Sequence, residues 1–283
     1  MLTPHLIDTT VTAALVEDAP WGDLTAAALI PEDATASASL AAREAGVFSG
    51  SAVFEAAFRL TDPRITVAFL VADGERFAAG DTIAMVSGPA RAVLTAERVA
   101  LNFVQRMSGI ATITAAYVEA VSDTRARIVD TRKTTPGLRV FERHAVRSGG
   151  GHNHRHSLSD AVMVKDNHLA VLLERGLTVT EALLRAREEL PHTTTIEVEV
   201  DRLDQIEAVL AAGVDTIMLD NFTVDELREG VALIAGRAIV EASGNVTLST
   251  VRAIAETGVD VISSGALTHS VRSLDLGLDV SVD

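Results

Sequence analysis

The second half of the chain repeats one pattern, and this pattern constrains the fold more than any other feature of the sequence. Short apolar runs rich in Val and Ile each end in polar or ionisable residues, and helical stretches separate them. Run ends at Lys165, Glu199, Asp220, Ser243 and Ser264 follow one another at intervals of 34, 21, 23 and 21 residues. This spacing predicts a regular βα repeat whose units are near the minimum length for a strand, a loop and a helix.

The number of repeat units favours one architecture. About six units follow residue 126, which suits a closed or nearly closed parallel barrel. An open doubly wound sheet is the alternative, but it would bind a dinucleotide through G-x-G-x-x-G after its first strand, and that motif is absent. In parallel barrels the chemistry takes place at the carboxyl ends of the strands, which is where the polar residues of the repeat fall.

Residues 1–108 show mixed helix and strand signals instead of this repeat. Helices are predicted at 4–16, 51–60 and 90–121, and strands at 34–43, 64–71 and 83–86. The long helix carries a polar stripe of Arg98, Asn102 and Gln105 beside its apolar stripe. Ser108-Gly109 predicts a hinge at which a second domain begins.

Composition excludes several classes of protein. The chain has 283 residues, 48% of them apolar and 22% charged, which is typical of globular domains, and this length favours two domains. A net charge of −15 and an aromatic content of only 4% argue against nucleic acid and anionic membranes as partners. There is no Cys, no apolar run long enough to span a bilayer and no signal-peptide pattern. We therefore expect a cytoplasmic enzyme without disulfides or thiolate metal sites.

Lysine is rare in this chain. Of the 24 basic residues, 22 are Arg, and only Lys133 and Lys165 are Lys. A coding bias explains most of this imbalance, which makes the two exceptions informative. An ammonium is a compact point charge with three movable donors, whereas a guanidinium is wide and planar. We predict that both lysines serve positions that Arg cannot fill.

Positive charge and histidine are concentrated in residues 125–168. This stretch holds nine basic and four acidic side chains, together with five of the eight His. A local excess of +5 in a chain of −15 indicates an anionic ligand. A solvated basic face is the alternative, but it does not explain why Lys133 and Lys165 both follow apolar, β-type runs.

The residues at the strand ends suggest what the ligand is. They are Arg132, Lys133, His154, Arg155, Lys165, Glu199, Asp220, Ser243-Gly244 and Ser264-Gly265. The cations can clamp carboxylates or phosphates, and the two acids can accept from sugar hydroxyls or hold Mg²⁺. The Ser-Gly pairs expose backbone N–H groups suited to phosphate. Together they predict a pocket for a polyanionic small molecule beside a phosphorylated sugar.

Three alternating histidines offer a second interpretation of the same region. His152, His154 and His156 could ligate zinc from one face of a strand. The glycines at 149–151 and Asn153 favour a loop instead, and no acid lies near enough in the sequence to complete the ligand set. We therefore expect the metal, if one is used, at Glu199 and Asp220.

Longer motifs resemble a known family. The chain contains, in this order, TAERVALNFVQRMSGIAT, DTRKTTPGLR, AVRSGGGHNHRHSLSDAVMVKDNH, IEVEV, IMLDN, EASGN and GVDVISSGALTHS. Glu17-Asp18 with Gly22-Asp23-x-Thr25 precedes them. Together these motifs resemble the quinolinate phosphoribosyltransferase family over about residues 15–279.

The resemblance implies a fold and an assembly. Residues 1–108 are expected to form an α/β sandwich domain, and residues 109–269 an incomplete α/β barrel that carries the catalytic site. Residues 270–283 are expected to pack back on the first domain. The assembly implied is a homodimer, or a hexamer built of dimers, in which the first domain of one subunit caps the barrel of the other.

The resemblance also implies a reaction and the residues that perform it. Quinolinate and phosphoribosyl pyrophosphate give nicotinate mononucleotide, pyrophosphate and CO₂ with Mg²⁺, a step of de novo NAD biosynthesis. Quinolinate is expected to be held by Arg98 of the other subunit and by Arg132, His154, Arg155 and Lys165. The phosphoribosyl donor is expected to be held by Lys133, Glu199, Asp220, Ser243, Gly244, Ser264 and Gly265. Of these residues, Lys133, Lys165, Glu199 and Asp220 are the expected catalytic groups.

Some positions depart from the family pattern. Arg143-His144 stand where Lys and Tyr are common, His156-Ser157 replace a pair that ends in Gly, and Asn245 replaces a Gly. Asn245 lies at the proposed phosphate loop, so this departure bears most on donor affinity.

Two alternatives remain open at this point. A molybdenum-transport-associated paralogue shares the fold, but the complete TRK, NHR and KDNH sets favour the quinolinate enzyme. A Schiff-base barrel aldolase would also place Lys at strand ends, but it needs a desolvated Lys, and both lysines lie among charges.

Overall fold

The computed structural model describes residues 2–174 and 176–282. The strands are, in chain order, β1 (Thr35–Ala42), β2 (Gly46–Val47), β3 (Thr66–Phe69), β4 (Arg76–Phe77), β5 (Thr82–Pro89), β6 (Arg127–Val129), β7 (Val162–Val164), β8 (Ile196–Val200), β9 (Thr216–Asp220), β10 (Ile239–Ser243), β11 (Val261–Ser263) and β12 (Leu276–Val282). The helices are α1 (Pro4–Asp18), α2 (Leu24–Leu29), α3 (Ser51–Thr61), α4 (Ala90–Ala120), α5 (Arg139–Ser148), α6 (Asp166–Leu173), α7 (Val179–Glu189), α8 (Ile206–Leu210), α9 (Val224–Ile234), α10 (Val251–Ala255) and α11 (Ala266–His269).

Local sequence explains where the first helices begin. The side chain of Thr3 accepts from the backbone N–H of Leu6, and Pro4 occupies the first turn of α1, where its missing N–H costs nothing. Asp23 caps α2 in the same way, with Oδ1 2.9 Å from the backbone N of Ala26. The first-half helices and strands predicted from the sequence are confirmed to within a few residues, whereas the short helix α2 was not predicted.

One of the two compact units of the chain contains an antiparallel sheet. The unit comprises residues up to Ala115, residues 135–150 and residues from Ser270 onward. The strand order is β12-β1-β5-β3, so the last strand of the chain pairs with the first. The inward residues Ala36, Ala38 and Leu40 of β1 are buried, and the rings of Phe54 and Phe58 on α3 meet edge to face at 5.0 Å.

Helix α4 runs without a break through Ser108 and Gly109, where the sequence predicts a hinge. Gly109 is needed here for close packing, because a Cβ at this position would collide with the carbonyl oxygen of Arg272. The division between the two compact units falls later in the same helix, after Ala115.

The second compact unit contains the predicted barrel sheet. It comprises residues 116–134 and 151–269, and its six parallel strands are ordered β6-β11-β10-β9-β8-β7. A closed barrel of this type has eight strands, so six strands with β6 and β7 at the two ends leave the barrel incomplete. The predicted α/β class, with an incomplete barrel, is confirmed.

No helix among the described residues is both long enough and apolar enough to cross a membrane.

Candidate active site

A cavity of about 540 Å³ lies at the carboxyl ends of the barrel strands. Nine of the residues singled out from the sequence line it, namely Arg132, Lys133, His154, Arg155, Lys165, Glu199, Asp220, Ser243 and Gly244. These side chains come from five strand ends and one loop that are far apart in the sequence. The parallel sheet brings them together because all of its strands end at the same edge.

Three singled-out residues are not in this lining. Ser264 is buried, and its hydroxyl donates to the backbone oxygen of Val246 at 3.3 Å. A Cβ built on Gly265 would lie 2.9 Å from Cδ of Lys133, so this glycine leaves room for the lysine stem. Arg98 belongs to the other compact unit, where it is exposed on α4.

Two cations at one end of the cavity lie close together. Burial and the charge of Arg132 lower the pKa of Arg155. Nη1 of Arg155 donates to the backbone oxygen of Ala161 at 2.9 Å, which holds the guanidinium in place despite this repulsion. An anion between the two cations would relieve the repulsion, so this end of the cavity suits a carboxylate or a phosphate.

Lys165 and Glu199 form an ion pair across adjacent strands. Nζ of Lys165 donates to Oε2 of Glu199, and the carboxylate is largely buried. The backbone N–H of Lys165 donates to Nδ1 of His168 at 2.9 Å, which fixes the start of α6. The resemblance assigns these two side chains to different substrates, whereas the geometry couples them directly.

Three residues beside Asp220 set the direction of its carboxylate. Nδ2 of Asn245 donates to Oδ1 of Asn221 at 3.1 Å, and Nδ2 of Asn221 donates to Oδ2 of Asp220 at 2.7 Å. A Cβ on Gly244 would lie 2.6 Å from Cγ of Asn221, so only glycine permits this contact. Asn221 and Asn245 have φ of 60° and 50°, a region that Asn tolerates better than most residues. Asn at 245 therefore suits the backbone even though it departs from the family's Gly.

The loop that carries His154 is held at the open edge of the barrel. His152 forms a parallel bridge with Val129 of β6. The buried carboxylate of Asp130 accepts from Nδ2 of Asn153 at 2.6 Å and from the backbone N–H of His154 at 2.8 Å. The predicted loop is thus correct, and its backbone is fixed on β6.

Two acids meet the ring of His154 inside the barrel. Nε2 lies 3.0 Å from Oε2 of Glu197 and 3.5 Å from Oε2 of Glu241. The absence of a nearby acid in the sequence did not exclude such contacts, because Glu197 and Glu241 come from the distant strands β8 and β10. The ring nitrogen and the two carboxylate oxygens lie within 4.8 Å of one another, which is close enough for a shared metal ion. Hydrogen bonds from the ring to the acids explain these distances without a metal ion.

The contacts of His154 favour different protonation states. Burial opposes a charge on the ring, but the hydrogen bonds with Glu197 and Glu241 outweigh it and raise the pKa of His154 to about 10. The backbone N–H of Arg155 donates to Nδ1 at 2.7 Å, which requires a free lone pair there. Both states carry a proton on Nε2, so the ring faces the acids in either case.

Glu197 and Glu241 were not singled out from the sequence. Burial raises the pKa of Glu197 against the opposing effect of His154, and the neighbouring carboxyl of Glu241 raises it further. A signal was present in the strand pattern, since Glu197 alternates with Glu199 and Glu241 with Ser243. Residues two apart on a strand share a face, so both acids had to point toward the cavity.

A second cavity, of about 470 Å³, lies beside α4 in the other compact unit. Its guanidinium, that of Arg106, is already paired with the buried carboxylate of Glu142 at 2.7 Å. The side chain of Glu142 also accepts from the backbone N–H and the hydroxyl of Thr135. These groups satisfy one another, so this cavity offers less to an anionic ligand than the barrel site does.

Comparisons with known proteins match both halves of the chain. The N-terminal domain model of quinolinate phosphoribosyl transferase matches residues 23–108, and the C-terminal domain model matches residues 110–279. The chain is 43% identical over 267 residues to a probable carboxylating nicotinate-nucleotide pyrophosphorylase of Bacillus subtilis, covering 94% of this chain and 91% of the relative. It is also 43% identical over 279 residues to the Mycobacterium leprae nicotinate-nucleotide pyrophosphorylase, covering 96% of each. The crystal structure of NadC from Streptococcus pyogenes superposes with a TM-score of 0.95 at 45% identity, covering 100% of this chain and 99% of the other.

Proposed function

The chain belongs to the quinolinate phosphoribosyl transferase family, and we propose on this basis that it transfers a phosphoribosyl group from phosphoribosyl pyrophosphate to quinolinate. The products are nicotinate mononucleotide, pyrophosphate and CO₂. The observation that carries the proposal is the barrel cavity, which collects four Arg and Lys side chains and three acids, Glu199, Asp220 and Glu241, at one set of strand ends. Those are the charges that a dicarboxylate and a phosphorylated sugar require.

Quinolinate is assigned to the end of the cavity that holds the adjacent cations. Its two neighbouring carboxylates would lie against Arg132, Arg155 and Lys165, with His154 forming part of the wall. Burial and then the positive charge of Arg132 lower the pKa of Arg155, and carboxylates between the two cations would neutralise the second effect, which supports this assignment. Arg98 of a second subunit would complete the set.

The donor is assigned to the other end. Lys133 would contact the pyrophosphate, and Glu199 and Asp220 would accept from the ribose hydroxyls. Ser243, Gly244 and Gly265 would offer backbone N–H groups to the phosphates. The backbone N–H of Ser264 already donates to the backbone oxygen of Val129 at 3.1 Å, so Ser264 would support this loop instead of contacting a phosphate. The hydroxyl of Thr268 donates to the backbone oxygen of Lys133 at 2.7 Å and so fixes the backbone from which the lysine side chain extends.

The chemistry requires positioning more than acid–base catalysis. The ring nitrogen of quinolinate attacks the anomeric carbon, and the bond from that carbon to pyrophosphate breaks with its electron pair. The ring nitrogen then carries a positive charge and accepts the electrons of the bond to the adjacent carboxylate, which leaves as CO₂. A proton from water takes its place on the ring. Cations that hold the ring in line with the anomeric carbon supply most of the catalysis.

Mg²⁺ fits the donor end of the cavity. Glu199 and Asp220 offer the hard oxygen ligands that Mg²⁺ prefers, and Mg²⁺ is usually bound through one or two carboxylates and substrate phosphates. When bound, it would neutralise charge that develops on the leaving pyrophosphate. The nitrogen ligand and depth of the His154 cluster suit this ion less well.

Neither alternative function is favoured. The relatives named above are carboxylating nicotinate-nucleotide pyrophosphorylases, not transport-associated proteins. Lys165 forms an ion pair with Glu199 in the cavity, whereas a Schiff-base aldolase places its lysine in a desolvated pocket. A dimer or hexamer and a cytoplasmic location stay predictions.

The proposed function is tested by incubating the purified protein with quinolinate, phosphoribosyl pyrophosphate and Mg²⁺. We expect nicotinate mononucleotide, detected by chromatography, and ¹⁴CO₂ from carboxyl-labelled quinolinate. Both products should require all three additions. If no nicotinate mononucleotide forms at any pH or metal concentration tested, the assignment is overturned.

Asp220→Asn is expected to lower the catalytic efficiency with phosphoribosyl pyrophosphate and to leave the affinity for quinolinate unchanged. The amide keeps the shape and can still accept from Asn221, but it loses the charge that would hold Mg²⁺ or the ribose. We expect kcat/KM for phosphoribosyl pyrophosphate to fall about tenfold or more, with the calorimetric Kd of quinolinate within about twofold.

The control for this substitution is Asp225→Asn, which removes an exposed acid paired with Arg228 on α9. It is expected to leave both substrates unaffected. A collapse of quinolinate affinity in Asp220→Asn would contradict the division of the cavity into two ends.

A further inference from the structure

Two buried carboxyl groups lie inside the barrel, beneath the cavity. Glu241 is 3% exposed, and Glu197 is more than four-fifths buried at its side chain. One oxygen of each, Oε1, has no hydrogen-bond partner in the described part of the chain. Two acids in this setting cost stability, because each is desolvated and they repel each other. Such a cost at the floor of an active site indicates a function for the pair.

The atom that both acids face is Nε2 of His154. His154 is also fixed on its other side, because Nδ1 accepts from the backbone N–H of Arg155. Both ring nitrogens are therefore used within the chain, and the ring links the two acids to the backbone at Arg155. Arg155 is the next residue along and one of the cations assigned to quinolinate.

We propose that Glu197 and Glu241 are positioning residues for quinolinate: they hold the ring of His154 and, through it, the backbone from which Arg155 reaches the substrate. This inference rests on the proposed function and adds to it the two acids as determinants of quinolinate binding. The carboxylate of Asp130 accepts from the backbone N–H of His154 and so fixes the backbone of the same loop. Glu197 and Glu241 instead fix the orientation of the His154 ring. The ring of His154 therefore connects the two acids of the barrel strands to the backbone of Arg155.

The proposal predicts a change in quinolinate affinity opposite in sign to the change that charge repulsion alone predicts. A buried negative charge under a dicarboxylate repels it, so removing the charge would strengthen quinolinate binding if charge alone mattered. If the acids act by holding His154, an amide in place of one of them keeps an acceptor oxygen but loses the charge-assisted hydrogen bond, so the ring is held more weakly, Arg155 is misplaced and quinolinate binding weakens instead.

The test uses Glu241→Gln and Glu197→Gln in the full-length protein. Each amide has nearly the size of the acid, so both variants are expected to fold, with melting temperatures at or above that of the wild type. We expect the KM of quinolinate to rise about tenfold, the KM of phosphoribosyl pyrophosphate to stay within about twofold, and kcat to fall less than the quinolinate KM rises. Glu207→Gln, which removes an exposed acid on α8, is the control and should match the wild type.

A double-mutant cycle separates positioning from any direct role. In a His154→Ala background, Glu241→Gln should have no further effect on the quinolinate KM, because the acid would have nothing left to hold. Additive effects, or a lower quinolinate KM in Glu241→Gln, would overturn the proposal. So would one equivalent of zinc in the purified wild type that is lost in Glu241→Gln, since the cluster would then be a metal site. An inactive wild type would instead refute the proposed function.

Discussion

Lys165→Arg is expected to fold normally and to lose at least about 100-fold in kcat/KM for quinolinate. Positive charge is kept in this variant, so the loss comes from shape. A guanidinium is wider than an ammonium and planar, and it would displace the ring of quinolinate from its line of attack on the anomeric carbon. A displacement of about 1 Å can cost on the order of 100-fold in rate.

The ion pair with Glu199 adds a second reason for this loss. Lys165 donates to one oxygen of the carboxylate as a point charge. The fork of a guanidinium matches both oxygens of a carboxylate, so Arg at this position would hold Glu199 more firmly. Glu199 would then be less available to the donor. We therefore expect the KM of phosphoribosyl pyrophosphate to rise as well.

The matched control is Arg228→Lys, the reverse exchange at an exposed ion pair on α9. It is expected to have no measurable effect, because exposed pairs contribute little and either cation serves. If Lys165→Arg keeps more than about a tenth of wild-type activity, a loss of about 1.4 kcal/mol of transition-state stabilisation or less, the prediction that Arg cannot replace these lysines is wrong. Steady-state kinetics and thermal unfolding of both variants decide this.

The barrel could be predicted from the sequence because each strand is a short apolar run with a polar end. A parallel sheet aligns those ends, so the strand-end residues predicted from the sequence make up most of the cavity lining. Asn221 and Asn245 were harder to place as partners, because their contact depends on two backbone φ angles near +50° to +60°. No spacing rule reports such an angle.

Glu197 and Glu241 show a different limit. Each lies within an apolar run, and a pattern of apolar residues directs attention to the run's polar end. What the acids contact is a loop residue more than 40 positions away, His154, which enters where the barrel lacks strands. The close packing of Gly109 could not be predicted from the sequence for a similar reason, since the carbonyl oxygen that approaches it belongs to Arg272. Contacts between distant segments determine both positions.

A mixture of Arg98→Ala and Lys133→Ala proteins is expected to be far more active than either protein alone. Each variant should be nearly inactive, because each lacks a cation that one of the two substrates needs. Arg98 is exposed on α4 and Lys133 follows β6, and the two residues belong to different compact units of the chain. The resemblance places Arg98 in the site of the other subunit, and complementation tests that placement directly.

The argument follows from how lesions are distributed in a dimer. If Arg98 acts in the partner's site, a hybrid dimer has one site with both lesions and one site with neither. Random exchange makes half of the dimers hybrids, so about a quarter of the wild-type activity should return. If Arg98 acts in its own subunit, each hybrid site still carries one lesion and no activity returns. Native mass spectrometry of differently tagged variants confirms exchange, and hybrids without activity would show that Arg98 does not act across subunits.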